Sequence, residues 1–206
     1  MPTNKPKTHE THFGIRMLKS AHPDIKKLKR QYPTSIHGNK LWKSSYLLMD
    51  HFKKNPPTSK QKVMEVGCGW GLASIFINRQ YQCPVTAIDA DRDVFPYLQL
   101  HAVTNKASVT TLRKRFEQIR KKDLAEVDIL IAADVCFWDE LADIHRKLIS
   151  RAIQAGVSKI VYADPMRSPF LELARHCEEK YCADMQEVKL AKANKARGAL
   201  LIIENA

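Results

Sequence analysis

From residue 62 onward the chain alternates short apolar runs with longer amphipathic ones. The runs near 62–66, 84–88, 108–112, 127–133 and 158–163 are short and bounded by turn residues, which predicts strands. The stretches between them suit helices, and strand–helix alternation implies a parallel sheet covered on both faces. One helix is well marked: Leu141, Ile144, Leu148, Ala152 and Ile153 form its buried stripe, Asp139 is placed to cap it and Gly156 to end it. The last stretch differs in style. A helix over 168–181 is followed by candidate strands at Asp184–Leu190 and Ala199–Ile203, with the basic turn Lys192–Arg197 between them, a spacing that suits a closing β-hairpin. The expected fold is α/β: a doubly wound, mostly parallel, seven-stranded sheet with an antiparallel C-terminal hairpin.

Upstream the pattern is weaker. Residues 1 to about 23 carry no sustained periodicity and read as an arm, ordered where it docks. Asp24 is placed to cap a short helix through Arg30, which Tyr32-Pro33 ends because proline disfavours helical geometry in the residue before it. After a turn at His37-Gly38-Asn39, apolar residues spaced three and four apart from Leu41 to Phe52 predict an amphipathic helix, broken by Asn55-Pro56-Pro57-Thr58. The division expected is a basic arm and short helix over 1–40 and one catalytic-sized domain over 41–206.

Charge sharpens that division. The net charge is +12, yet residues 1–60 hold 13 Lys/Arg against 3 Asp/Glu, leaving 21 against 19 for the rest. A basic leading segment attracts acidic surfaces, so RNA or an acidic protein is an expected partner. The five cysteines are an odd number with no Cys-x-x-Cys pair, which argues against both a disulfide scaffold and a zinc site. No signal-like or bilayer-length apolar run is present, so the reading is a soluble cytoplasmic protein with no membrane partner. His9 and His12, three apart without a third ligand, do not make a metal site.

The sharpest chemical signal is Val63-Met64-Glu65-Val66-Gly67-Cys68-Gly69-Trp70-Gly71-Leu72-Ala73-Ser74, an apolar strand running into a glycine turn that opens a helix. Such turns let backbone N–H groups approach a polar ligand closely, and nucleotide-like cofactors bind there in open α/β sheets. A dinucleotide fingerprint would need glycine at position 72, where Leu72 sits. The acidic-x-Gly-x-Gly-x-Gly spacing instead resembles the first motif of the class I, seven-β-strand methyltransferases, from about Trp42 to the C-terminus. That resemblance implies a Rossmann-like fold and S-adenosylmethionine as cofactor. It also implies that Gly67, Gly69 and Gly71, with Cys68 and Trp70 between them, wrap the methionine part while Glu65 orients its amino group. Asp89, followed by Ala90, ends the second strand, where a carboxylate can accept both hydroxyls of a ribose; Asp91 reads as a helix cap. Phe116, after the third strand, either stacks on adenine or packs in the core.

The fourth strand ends Asp134-Val135-Cys136-Phe137-Trp138, a carboxylate and aromatics at the carboxyl end of a central strand. This resembles the Asp-x-x-Tyr/Phe motif of methyltransferase family 16, rich in protein-lysine methyltransferases, whose upstream Leu-Trp or Val-Trp, matched by Leu41-Trp42, closes over the cofactor. Asp164-Pro165-Met166-Arg167 is similar to the Asp-Pro-Gly-Arg of the electron-transfer-flavoprotein β-subunit lysine methyltransferases, with Met166 in place of the glycine. Asp134, Phe137 and Trp138 are the expected catalytic group. The function expected is protein-lysine N-methylation. RNA or ribosome-associated methylation is the first alternative, resting on the basic segment and the clusters at Arg113–Arg115 and Arg120–Lys122. A small-molecule methyltransferase, which should tolerate loss of residues 1–22, and a non-catalytic binding fold follow.

Overall fold

The computed structural model describes residues 8–34, 38, 40–191 and 195–205. The turn residues His37 and Asn39, residues 1–7 and half of the expected basic turn, 192–194, lie outside the described residues. In chain order the elements are β1 (His9–His12), β2 (Ile15–Leu18), α1 (Pro23–Gln31), α2 (Ser44–Lys54), β3 (Val63–Val66), α3 (Leu72–Tyr81), β4 (Val85–Asp89), α4 (Phe95–Thr104), β5 (Thr110–Arg113), α5 (Lys121–Leu124), β6 (Ile129–Ala133), α6 (Asp139–Gln154), β7 (Lys159–Asp164), α7 (Ser168–Lys180), β8 (Ala183–Lys189) and β9 (Arg197–Glu204).

Seven strands form one sheet in the order β5-β4-β3-β6-β7-β9-β8. Strands β3 to β7 run parallel, while β9 is antiparallel to both β7 and β8, so the C-terminal hairpin inserts its second strand next to the parallel block. The central strands are buried on both faces, as parallel strands under two helical layers must be. Their side chains alternate between layers with the two-residue period of a strand. Val63, Ile131 and Val161 join Leu47, Ile75 and Phe76 on the face covered by α2 and α3, whereas Met64, Leu130 and Ile160 join Leu148, Ile149, Phe170 and Leu173 under α6 and α7.

The start of the chain corrects the expectation of an arm. Residues 9–18 form an antiparallel hairpin whose two-residue turn, Phe13 and Gly14, has positive φ at both positions (51° and 77°), the geometry that matches strand twist. Ile15 and Met17 are fully buried in the core cluster beneath α2 and α3. Arg16 N donates to Asn105 Oδ1 (2.8 Å) and Leu18 N to His101 Nε2 (3.1 Å), which ties the hairpin to α4. Helix α1 follows, seated through Ile25 in a satellite cluster with Leu18, Trp70 and Tyr97. Its cap is His22, whose Nδ1 accepts from Asp24 N, rather than Asp24 itself; Pro23 then occupies the first turn.

Two further boundaries shift. Trp138 occupies the cap position of α6, and Asp139 with Glu140 lies in the first turn, where negative charge favours the helix dipole. Helix α2 begins at Ser44, not at Leu41, which leaves Leu41-Trp42 in the approach to the helix.

Candidate active site

The carboxyl ends of β3, β4 and β6 meet where connections leave β3 in opposite directions, which is where open α/β sheets form a crevice. A cleft of about 900 Å³, open to solvent at its mouth, lies there. Every candidate from the sequence lines it: Trp42, Glu65, Gly67, Cys68, Gly69, Trp70, Gly71, Asp89, Ala90, Phe116, Asp134, Phe137 and Trp138.

At one side stands the glycine turn. Gly67, Gly69 and Gly71 all have positive φ, and the substitutions they forbid differ. A Cβ at Gly67 would stand 2.7 Å from Val135 Cγ1 and 3.3 Å from Phe116 Cζ, whereas one at Gly69 would meet nothing within 4 Å. The chain therefore packs tightly behind Gly67 and leaves open space beside Gly69. Asp89 braces this turn: its Oδ2 accepts from Gly69 N and its Oδ1 from Asp91 N, both at 2.9 Å. Burial raises the Asp89 carboxyl above its ordinary value, and these backbone bonds oppose the rise. Asp91 caps the short turn at 92–94, as its position suggested.

Glu65 is almost wholly buried, and its Oε2 accepts from both the backbone N (3.0 Å) and the hydroxyl of Ser74 in the first turns of α3. Burial pushes its carboxyl up to about 7, with the Ser74 bonds opposing and the nearby Asp89 charge adding to the rise. Ser74 closes the glycine-turn stretch of the sequence, where its residue type alone gave it no role. Trp70 shapes the wall without offering a free face: its indole stacks on Tyr97 (centroids 4.9 Å apart, 9° between planes) and donates to Gly38 O at 2.8 Å. Phe116 lines the cleft and also packs on the buried His145 ring at 4.4 Å.

The other side is a network of side chains. Asp134 adopts φ 56°, a conformation non-glycine residues hold only where their surroundings over-determine it. Its Oδ2 accepts from Ser44 N at 3.1 Å, so a carboxylate just past β6 satisfies the first N–H of α2, which favours a helix start at Ser44. Its Oδ1 takes Arg167 Nη2 at 3.0 Å. The same guanidinium reaches Asp164 Oδ2 through Nη1 at 2.6 Å, and Arg167 N donates to Asp164 Oδ1 at 2.8 Å. Burial, opposed by these Arg167 contacts, lifts the Asp164 carboxyl to about 6. Met166 stands at φ 74°, so it adopts the left-handed conformation that a glycine would take without strain.

Aromatic rings complete this side. Trp42 and Phe137 meet edge to face at 5.3 Å, and Phe137 lies 5.7 Å from Trp138, which is 48% exposed and so is no core residue. Each of the first two rings holds a cation: Lys40 Nζ lies 4.1 Å from the Trp42 centroid and Arg167 Cζ 4.5 Å from that of Phe137. Lys40 and Ser45 also line the cleft, although no sequence pattern marked them, and so does Leu141, which the sequence placed in the buried stripe of its helix.

Residues 63–156, from β3 to the glycine that follows α6, match the family described as a methyltransferase domain. The activity these residues carry is S-adenosylmethionine-dependent methyl transfer. No curated protein matches it by sequence. Among solved structures the methyltransferase is similar to a precorrin-6y C5,15-methyltransferase from Geobacter metallireducens, with 12% identity over 86% of this chain and 95% of that one and a TM-score of 0.63. It is also similar to TrmN from Thermus thermophilus (14% identity, 86% and 53% covered, TM-score 0.63). A third likeness is to a magnesium protoporphyrin IX methyltransferase from Synechocystis with bound S-adenosylhomocysteine (11% identity, 91% and 90% covered, TM-score 0.59). At these identities the likeness is one of fold. Among the described residues no helix is long and apolar enough to cross a membrane.

Proposed function

We propose that this methyltransferase acts on an amine nitrogen, and specifically on lysine side chains of a protein. The observation that carries the reading is the aromatic mouth, in which Trp42 and Phe137 each hold a cation and Trp138 lies exposed beside them. A pocket that binds a cationic group on an aliphatic stem suits a lysine.

Bound S-adenosylmethionine supplies an electrophilic methyl group on a sulfonium. The residues of the cleft are suited to hold it at two ends. Asp89 keeps a second lone pair on each oxygen for the ribose hydroxyls, and Glu65 can balance the amino group of the methionine part. Open space beside Gly69 lets the cofactor approach the backbone, and Phe116 offers a ring face to adenine. For the substrate, the chain's task is alignment and exclusion of water, since displacement at carbon needs nucleophile, carbon and leaving group in line. A lysine amine at neutral pH lies roughly three units below its usual pKa, so about 4 kcal/mol separates the ammonium from the neutral amine that attacks. Asp134, balanced by Arg167, is placed to orient the incoming amine through its remaining lone pairs.

A second reading is RNA methylation, favoured by the exposed Lys26, Lys27, Lys29 and Arg30 on α1 and by Lys40 in the lining of the cleft. Salt separates the two, because nucleic-acid binding weakens steeply as counterions are restored. Truncation of residues 1–22, a test for a small-molecule substrate, would remove Ile15 and Met17 from the core, so it would report on folding instead.

The direct test is methyl-labelled cofactor added to a cell lysate, with and without nuclease. The reading expects label on protein bands, resistant to nuclease and lost with Trp42→Ala or Phe137→Ala. Label confined to RNA would overturn it.

A further inference from the structure

Two cations sit on the aromatic mouth, and their surroundings differ. Arg167 is fixed by Asp134 and Asp164, so its position over Phe137 is explained by ion pairing. Lys40 is exposed and, among the described residues, pairs with no carboxylate, yet its Nζ lies 4.1 Å from the Trp42 ring centroid, well inside cation–π range. The backbone on both sides of it is anchored. Two residues before, Gly38 O accepts the Trp70 indole N–H at 2.8 Å; two residues after, Trp42 is wedged against Phe137. Gly38, Lys40 and Trp42 all line the cleft that holds the glycine turn and Asp89. A lysine side chain is thus already placed where the proposed function puts the substrate's.

We infer that Lys40 is a methyl acceptor of this enzyme, modified in cis within its own cleft. The inference rests on the amine-methylating reading above. In the step, the Lys40 ammonium first releases one proton to bulk water. The neutral amine's lone pair then forms the N–C bond to the methyl carbon while the C–S bond breaks with its electrons staying on sulfur. The sulfonium becomes the neutral thioether of S-adenosylhomocysteine, and the nitrogen takes up the positive charge as a methylammonium. No other reactant is needed. Holding acceptor and cofactor on one chain replaces a bimolecular encounter by an intramolecular one, which is the condition for a high effective concentration. Because methylation keeps the charge, a methylated Lys40 remains a ligand for the Trp42 ring and would compete there with an incoming lysine.

The test is the purified full-length chain incubated with S-adenosylmethionine carrying a deuterated methyl group and no other substrate, read by intact mass and by peptide mapping. The expected result is one or more deuterated methyl increments on Lys40, accumulating at a rate per enzyme that is unchanged on dilution, and absent from Lys40→Arg. An unmodified Lys40 after prolonged incubation, or a rate per enzyme that falls in proportion to enzyme concentration, would overturn it. The lysate experiment keeps the two readings distinct. Label on other proteins with Lys40 bare sinks only this inference, whereas label confined to RNA with Lys40 bare sinks both.

Discussion

The two sides of the cleft are built by different means. The glycine side is made of backbone and of groups close in sequence: β3, the turn after it, and Asp89 reaching across one strand to Gly69 N. The mouth is made of side chains from separate elements, with Asp134 just past β6 joined to Ser44 of α2 and to Arg167 before α7. The first side depends on space and on φ, so single atoms decide it. The second depends on charge balance among buried groups, so removing one member leaves others exposed to an unfavourable environment.

Arg167→Ala breaks the contrast most strongly. It strips the shared partner from two carboxylates whose side chains are 4% and 1% exposed, and loss of about 3–5 kcal/mol is expected for uncompensated buried charge. Denaturant unfolding of the variant measures it. A change under 1 kcal/mol would show that the network is not structural. On the glycine side the corresponding electrostatic test is Glu65. Its folded value of about 7 lies above the usual 4.5, so between those values the folded state binds more protons than the unfolded one, and stability falls as pH rises from about 4.5 to about 7. The full contribution is of order 3 kcal/mol. Glu65→Gln should flatten that slope in thermal unfolding across pH while weakening cofactor binding.

Asp89→Ala is expected to act mainly on the ligand. Losing the bonds to Gly69 N and Asp91 N loosens the turn, and a fall of roughly 10- to 100-fold in S-adenosylhomocysteine affinity, about 1.4–2.8 kcal/mol, is expected by calorimetry. The smallest stability effect belongs to Trp138→Ala, within about 0.5 kcal/mol because the residue is largely exposed. Methyl transfer by that variant should still drop if the ring guides substrate; unchanged turnover would remove Trp138 from the catalytic group.

The same contrast explains what could be read before any coordinates. The glycine turn, Glu65 and Asp89 were legible because their spacing encodes one local geometry, and Asp134 and Phe137 because the end of a central strand is a position with known chemistry. The sheet was legible strand by strand, since central parallel strands are continuous apolar runs. The hairpin at 9–18 was not. Its strands are four residues long, His9–His12 is largely polar, and Phe13-Gly14 lacks the Asn-Gly signature of a tight turn. The start of α2 was misplaced for a tertiary reason, an acceptor for its first N–H supplied by Asp134 from 90 residues away. Arg167 and Asp134 stand 33 residues apart, Ser74 meets Glu65 only once α3 folds back over β3, and Lys40 looked like one more charge in a basic segment.

Central to the account is one molecule held between the glycine turn and Asp89 with its methyl end toward the aromatic mouth. Titration calorimetry of S-adenosylhomocysteine into the wild-type chain, into Gly69→Val and into Trp138→Ala tests this most directly. One site per chain is expected, abolished by the side chain placed beside the open space at 69 and retained when only the mouth is altered. Absence of binding to the wild type, or binding indifferent to the bulk added at 69, would contradict it.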